Sequence, residues 1–128
     1  MGNTKRVALV TGSASGIGSA VAIKLSSEGF NTIVNYSQSA DSASNTAEKC
    51  NAAGSDTLLV QCDVSNETSV ISMLSDIEKK YGRLDVVVNN AGTSISTLAK
   101  DFDKVSEEEF DRVLAVNVKG MFLVAKHS

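Results

Sequence analysis

The residues with the most chemistry to offer stand near the start of the chain, where glycines 12, 16 and 18 follow the apolar run Val7-Ala8-Leu9-Val10. Ser13 and Ser15 lie among them, and Ile17, Ala20, Val21 and Leu25 then recur at helical intervals. A buried strand, a glycine turn and a helix start together make a site for a phosphate-bearing ligand. The first N–H groups of a helix have no partner inside it, and the macrodipole favours an anion there. In this reading Gly12 permits the turn, Gly16 lets the backbone approach a pyrophosphate, and Gly18 lets helix and strand pack closely. The Ser13 and Ser15 hydroxyls add donors within reach of phosphate oxygens. The bland alternative is a structural turn that holds no ligand. The spacing G-x-x-x-G-x-G is not the G-x-G-x-x-G dinucleotide fingerprint, and it is not a P-loop, because no lysine follows directly on the last glycine.

Such a turn needs a sheet behind it, and the remaining sequence supplies one. Residues 6–11 read as a first strand, apolar without alternation, as in a parallel strand covered on both faces. The helix after it runs to about Glu28, with Gly29 as its stop. Residues 31–35 form a second strand, 37–53 a helix ended by Gly54, and 57–62 a third strand. Ser65 is the expected N-cap of a third helix whose apolar face is Val70, Leu74, Ile77 and Tyr81, with Gly82 as its stop. Residues 84–88 form a fourth strand leading into the turn Asn89-Asn90-Ala91-Gly92. Ser106 and Glu109 make a capping box for a final helix with Phe110, Val113, Leu114, Val118, Met121 and Phe122 on its apolar side. Strands alternating with helices predict an α/β class domain over residues 1–128, a doubly wound parallel (Rossmann) sheet in the order 3-2-1-4. Ligands sit where such a sheet reverses, here between strands 1 and 4, so the glycine turn and the Asn-Asn-Ala-Gly turn flank one crevice.

Composition narrows the partners. Twelve basic against fifteen acidic residues give a net charge of -3, with no basic run, which argues against nucleic acid. Cys50, Cys62 and the single His127 fit no metal-ligand spacing, and free buried thiols suit a reducing compartment. No segment has the length of a membrane span or a signal-peptide core, so a cytoplasmic location with no membrane partner is expected. Met1-Gly2 lacks the Ser or Thr that myristoylation needs, since Arg6 stands there.

The stretch from Thr11 to Gly18, together with Asn89-Asn90-Ala91-Gly92, Asp63-Val64 and Asn117 within Ala115-Val116-Asn117-Val118-Lys119-Gly120, resembles the short-chain dehydrogenase/reductase family. The four motifs occur in the family's order across the chain, and their look is that of the 3-oxoacyl-carrier-protein reductase and glucose dehydrogenase type. The resemblance implies that residues 12–18 hold the cofactor pyrophosphate, and that Asp63 bonds the adenine amino group with Val64 against the ring. It implies that Asn90, Ala91 and Gly92 line the adenosine ribose and brace the sheet. Asn117 would be the catalytic asparagine, interrupting its helix and holding a water in a proton relay. Without the family, Asp63 reads equally as a residue of a helix start, and Asn117 as a tolerated polar residue on a helix.

Cofactor choice turns on the end of strand 2. An NAD enzyme places a carboxylate there for the ribose 2′-hydroxyl, but this chain has Asn35-Tyr36-Ser37, and the nearest acid, Asp41, falls inside the next helix. A 2′-phosphate meets no repulsion, and Tyr36 or Ser37 can donate to it, so NADP is expected ahead of NAD. The tyrosine and lysine four apart that the resemblance implies as the working base match nothing here. Ala40 stands four past Tyr36, and Asp85 four past Tyr81. Family members run to roughly twice this length, so the expectation is an N-terminal, cofactor-binding portion of a reductase or alcohol dehydrogenase acting on a small carbonyl or alcohol substrate. That portion is inactive alone and homo-oligomeric when complete. The other readings are a non-catalytic nucleotide-binding module or partner subunit, or an unrelated Rossmann protein such as a methyltransferase.

Overall fold

The computed structural model describes residues 4–128, so Met1 and Gly2 lie outside it. Four parallel strands, β1 (Val7–Val10), β2 (Asn31–Tyr36), β3 (Leu58–Gln61) and β4 (Val86–Val88), lie in the order β3-β2-β1-β4. The register pairs Leu9 with Ile33 on one side and with Val87 on the other. β1 is buried throughout, as its unbroken apolar sequence requires of a strand covered on both faces. β2 is nearly so, although it carries the buried polar residues Asn31, Thr32 and Asn35. The edge strands β3 and β4 are only half-buried.

Side chains alternate across the sheet, and each set meets its own helices. Val10 and Val34 pack with Ala22 of α1 (Gly16–Ser27) and with Ala43, Ala47 and Cys50 of α2 (Ala40–Ala52). Val7, Leu9 and Ile33 pack on the opposite face with Val70, Met73 and Ile77 of α3 (Glu67–Tyr81) and with Leu123 and Val124 of α5 (Gly120–His127). The small residues of α2 let it lie close to the sheet. Between β4 and α5 come a 3-10 turn (Ala99–Lys104), α4 (Glu107–Leu114) and a π-helical turn (Ala115–Lys119) that runs directly into α5.

The helix ends follow local chemistry, with one correction. Gly29, Gly54 and Gly82 all adopt positive φ just past their helices, the conformation that lets a chain turn away. Ser106 accepts from the Glu109 N–H while the Glu109 carboxylate accepts from the Ser106 N–H, forming the expected capping box. Ser65, however, does not cap α3. Its hydroxyl and its N–H both donate to Asp63 Oδ1, at 2.7 and 3.0 Å, and Asn66 caps the helix by accepting from the Ser69 N–H at 2.9 Å. α2 begins at Ala40 rather than 37, leaving Ser37, Gln38 and Ser39 outside the helix.

Candidate functional site

The two turns expected to face each other are in direct contact. Thr11 ends β1, and its hydroxyl oxygen accepts from the N–H groups of Asn90 and Ala91, both at 3.0 Å. In return the Asn90 side-chain amide donates to the carbonyls of Thr11 and Gly12, at 3.1 and 3.0 Å. Packing explains the glycines at this contact. A Cβ on Gly12, whose φ is +63°, would fall 2.7 Å from the Ala91 Cα. One on Gly18 would fall 2.5 Å from both the Asn90 amide nitrogen and the Gly12 carbonyl oxygen. Gly16 is different: its φ is +60°, and nothing lies within 4 Å of its absent side chain. It faces open space.

Asn35, at the end of β2, ties the turn from the other side. Its side-chain oxygen accepts from the Gly12 N–H at 3.0 Å, and its amide donates to the Cys62 carbonyl beyond β3 at 3.2 Å. Its backbone carbonyl accepts from the Ser13 N–H at 2.9 Å. Thr46 of α2 adds a fourth tie by donating to the Ala14 carbonyl at 3.0 Å.

These ties correct the expectation for Ser13. Its side chain is fully buried, donating to the Val10 carbonyl at 2.7 Å and accepting from the Asn35 N–H at 3.0 Å. It locks the turn to the sheet and offers nothing to a phosphate. Ser15 is exposed at the N-cap of α1 in an extended conformation, and its side chain makes no capping bond. The first-turn amides at Gly16, Ile17 and Gly18 therefore keep the orphan donors of a helix start. Ile17 is 77% exposed, an unusual position for a large aliphatic side chain beside a core.

Between the turns and the ends of β2 and β3 lies a groove of about 440 Å³. Gly12 and Ala14 form its floor, with Asn90, Ala91, Gly92 and Thr93 on one side. Tyr36, Ser37, Gln38 and Ser39 line the β2 end, and Cys62, Asp63 and Val64 the β3 end. Among the described residues, Asp63 is the one carboxylate lining the groove, and Arg112 the one cation. Asp63 spends one oxygen on Ser65 and remains exposed. Val64 is mostly buried against α5, where a Cβ on Gly120 would fall 2.6 Å from its Cγ2. The Cys62 thiol is pushed above its usual pKa by burial, so it stays protonated.

Asn117 sits in the π turn, so the helix is interrupted where the motif expects it. Its side chain reads both polar groups of one peptide residue, accepting from the Thr93 N–H at 2.8 Å and donating to the Thr93 carbonyl at 2.9 Å. It borders a second, mainly apolar cavity of about 460 Å³ behind Thr93 rather than the groove itself. Neither tyrosine has a lysine within one helical turn after it, and Tyr81 is excluded as a base on further grounds. It is buried, its hydroxyl donates to the Asp56 carbonyl at 2.8 Å, and burial raises its pKa. The bracing roles of Asn35 and Thr46 have no motif behind them: Asn35 has one signal, a polar residue near the end of a strand, and Thr46, inside α2, has none.

Residues 6–128 match the family model described as short chain dehydrogenase. Elsinochrome reductase 1 of Elsinoe fawcettii is 42% identical over 123 residues, covering 96% of this chain and 45% of that protein. Trihydroxynaphthalene reductase of Colletotrichum orbiculare is 38% identical, covering 96% of this chain and 43% of that protein. Among solved structures, a short-chain dehydrogenase/reductase from Burkholderia xenovorans superposes with a TM-score of 0.93 at 29% identity, covering 98% of this chain and 51% of that one. The chain thus spans about half the length of the relatives it matches.

Proposed function

The chain belongs to the short-chain dehydrogenase family, and from that premise we propose that its groove binds a nicotinamide dinucleotide, NADP ahead of NAD, for reduction of a small carbonyl compound or oxidation of the matching alcohol. The carrying observation is the braced turn. Gly12 and Ser13 are bonded to Asn35, and Gly12 and Gly18 pack against Ala91 and Asn90, while Gly16 is open and the first-turn N–H groups of α1 have no partner inside the helix. A rigid cradle of unpartnered N–H groups beside a groove at the sheet's reversal is what a pyrophosphate needs. Two relatives carry names of reductases, which supports the same chemistry.

The residues fit the rest of the ligand as follows. Ser15, Gly16, Ile17 and Gly18 meet the pyrophosphate. Asp63 accepts from the adenine amino group through the oxygen that Ser65 does not use, and the exposed edge of Val64 meets the ring. Asn90 holds the turn while Ala91 and Gly92 give the ribose a wall of backbone. Tyr36 and Ser37 receive the 2′-phosphate. Among the described residues no carboxylate lines that end of the groove to repel a phosphate, and no cation lines it either. The bound nicotinamide supplies or accepts the hydride. Asn117, by gripping the Thr93 backbone in a π turn, fixes the loop next to where the reaction occurs and leaves backbone groups of the widened turn for a proton-relay water. The general base comes from outside these 128 residues, and the complete enzyme is a homo-oligomer working in the cytoplasm.

The absence of a Tyr-x-x-x-Lys pair within the sequence favours one other reading, a non-catalytic nucleotide-binding module. Assay of the protein as expressed from its native gene separates the two: carbonyl-dependent NADPH oxidation supports the enzyme, and cofactor binding without turnover the module.

A further inference from the structure

Among the described residues, Arg112 of α4 is the one cation lining the groove, and its guanidinium is committed to a single short segment. It donates to the Thr93 hydroxyl at 2.7 Å and to the Ser94 carbonyl at 3.0 Å. Asn117 takes the N–H and carbonyl of that same Thr93. Every polar group of Thr93 is thus held by two residues that lie five apart in sequence. On a regular α-helix, residues five apart point about 140° away from each other and do not share a target. The π turn over Ala115–Lys119, with the Gly120 N–H reaching back to the Ala115 carbonyl, adds the residue that brings Asn117 round toward the face that carries Arg112. Thr93 lines both the groove and the apolar cavity behind it, so it is the partition between them.

We propose that Arg112 is a positioning residue: with Asn117 it clamps Thr93-Ser94, and the clamp sets the wall against which the dinucleotide binds. The inference rests on the dinucleotide reading of the groove. A planar fork that reaches two acceptors at once does this work, whereas a lysine reaches one. Charge near the groove is not the point, since both contacts are to neutral oxygens.

The test compares NADPH affinity and thermal midpoint for the wild type, Arg112→Met, Arg112→Lys, Thr93→Val, and the Arg112→Met/Thr93→Val double variant. Arg112→Met and Arg112→Lys should each weaken NADPH binding by about tenfold or more, the scale of losing a hydrogen bond to a charged donor. The double variant should be little worse than Arg112→Met, as partners of one contact are not additive. A lysine variant that binds like wild type would show that charge alone matters and would overturn the clamp, as would additive losses or unchanged affinity. Amide exchange at Thr93 supplies a readout that needs no cofactor. Faster exchange in Arg112→Met supports the clamp, and unchanged exchange overturns it, even if the wild type binds no NADPH. Failure of the wild type to bind would count against the dinucleotide reading alone.

Discussion

Each glycine of the first turn has a different job, and substitution separates them. Gly12→Ala places a methyl group 2.7 Å from the Ala91 backbone at a φ of +63°, so both strain and clash oppose it. It should destabilise the fold by about 2 kcal/mol or more, read as a lowered urea midpoint. Gly16→Ala meets no atom, so it should cost about 1 kcal/mol for its left-handed backbone alone while weakening NADPH binding. Equal stability losses in the two variants would contradict this division of labour. Away from the groove, Asp85 ties β1 to the start of β4. It accepts two bonds from the Arg83 guanidinium, at 2.8 and 2.7 Å, and one from the Val7 N–H at 2.8 Å. The Arg83 fork first, and the Val7 N–H second, hold its carboxyl below the ordinary carboxylate pKa. The folded value lies below the unfolded one, so the stabilisation is present above about pH 4 and is lost as pH falls through the folded value. Melting temperature should therefore fall less steeply over that acidic range in Asp85→Asn than in the wild type.

At the scale of elements, the helices are anchored by caps and by one close approach. Ser106→Ala removes the acceptor for the Glu109 N–H and should lower stability by about 1 kcal/mol, measured by denaturant unfolding. Gly120→Ala puts a methyl 2.6 Å from Val64 Cγ2, pushing α5 away from the end of β3. It should cost more than the cap does, about 1–3 kcal/mol, and the order of the two losses is the check. Element positions were largely legible in the sequence because apolar runs, glycine stops and a capping box each carry a local cause. Element starts were less so. Ser65 and Asn66 are adjacent cap formers, and Asp63 decided between them by capturing the serine hydroxyl. Residues 37–39 contain no helix breaker, so the expected helix runs back to 37, yet they stay outside α2 and line the groove. The roles of Ser13, Asn35 and Arg112 were not legible, because their partners lie on other strands or loops. Arg112 and Thr93, for example, are 19 residues apart. Ser13 has the type and position of a phosphate ligand, and only the strand beside it shows that its hydroxyl is already used.

For the molecule as a whole, the order β3-β2-β1-β4 leaves β4 at an edge, half-buried, with an apolar helical surface beside it. Phe110, Leu114, Val118, Met121 and Phe122 are all at least 44% exposed along α4, the π turn and α5. A contiguous apolar surface of this kind on a small domain promotes association. Sedimentation of the 128-residue chain should show mass rising with concentration, and Phe122→Glu should suppress the rise; a monomer at every concentration would contradict this. If the braced glycine turn and the groove beside it hold a nicotinamide dinucleotide, calorimetric titration of the chain with NADPH and with NADH will detect it. Binding should be saturable at one dinucleotide per chain, tighter for NADPH, and weakened by Gly16→Ala without loss of fold. No heat of binding from either nucleotide to the folded chain would contradict it.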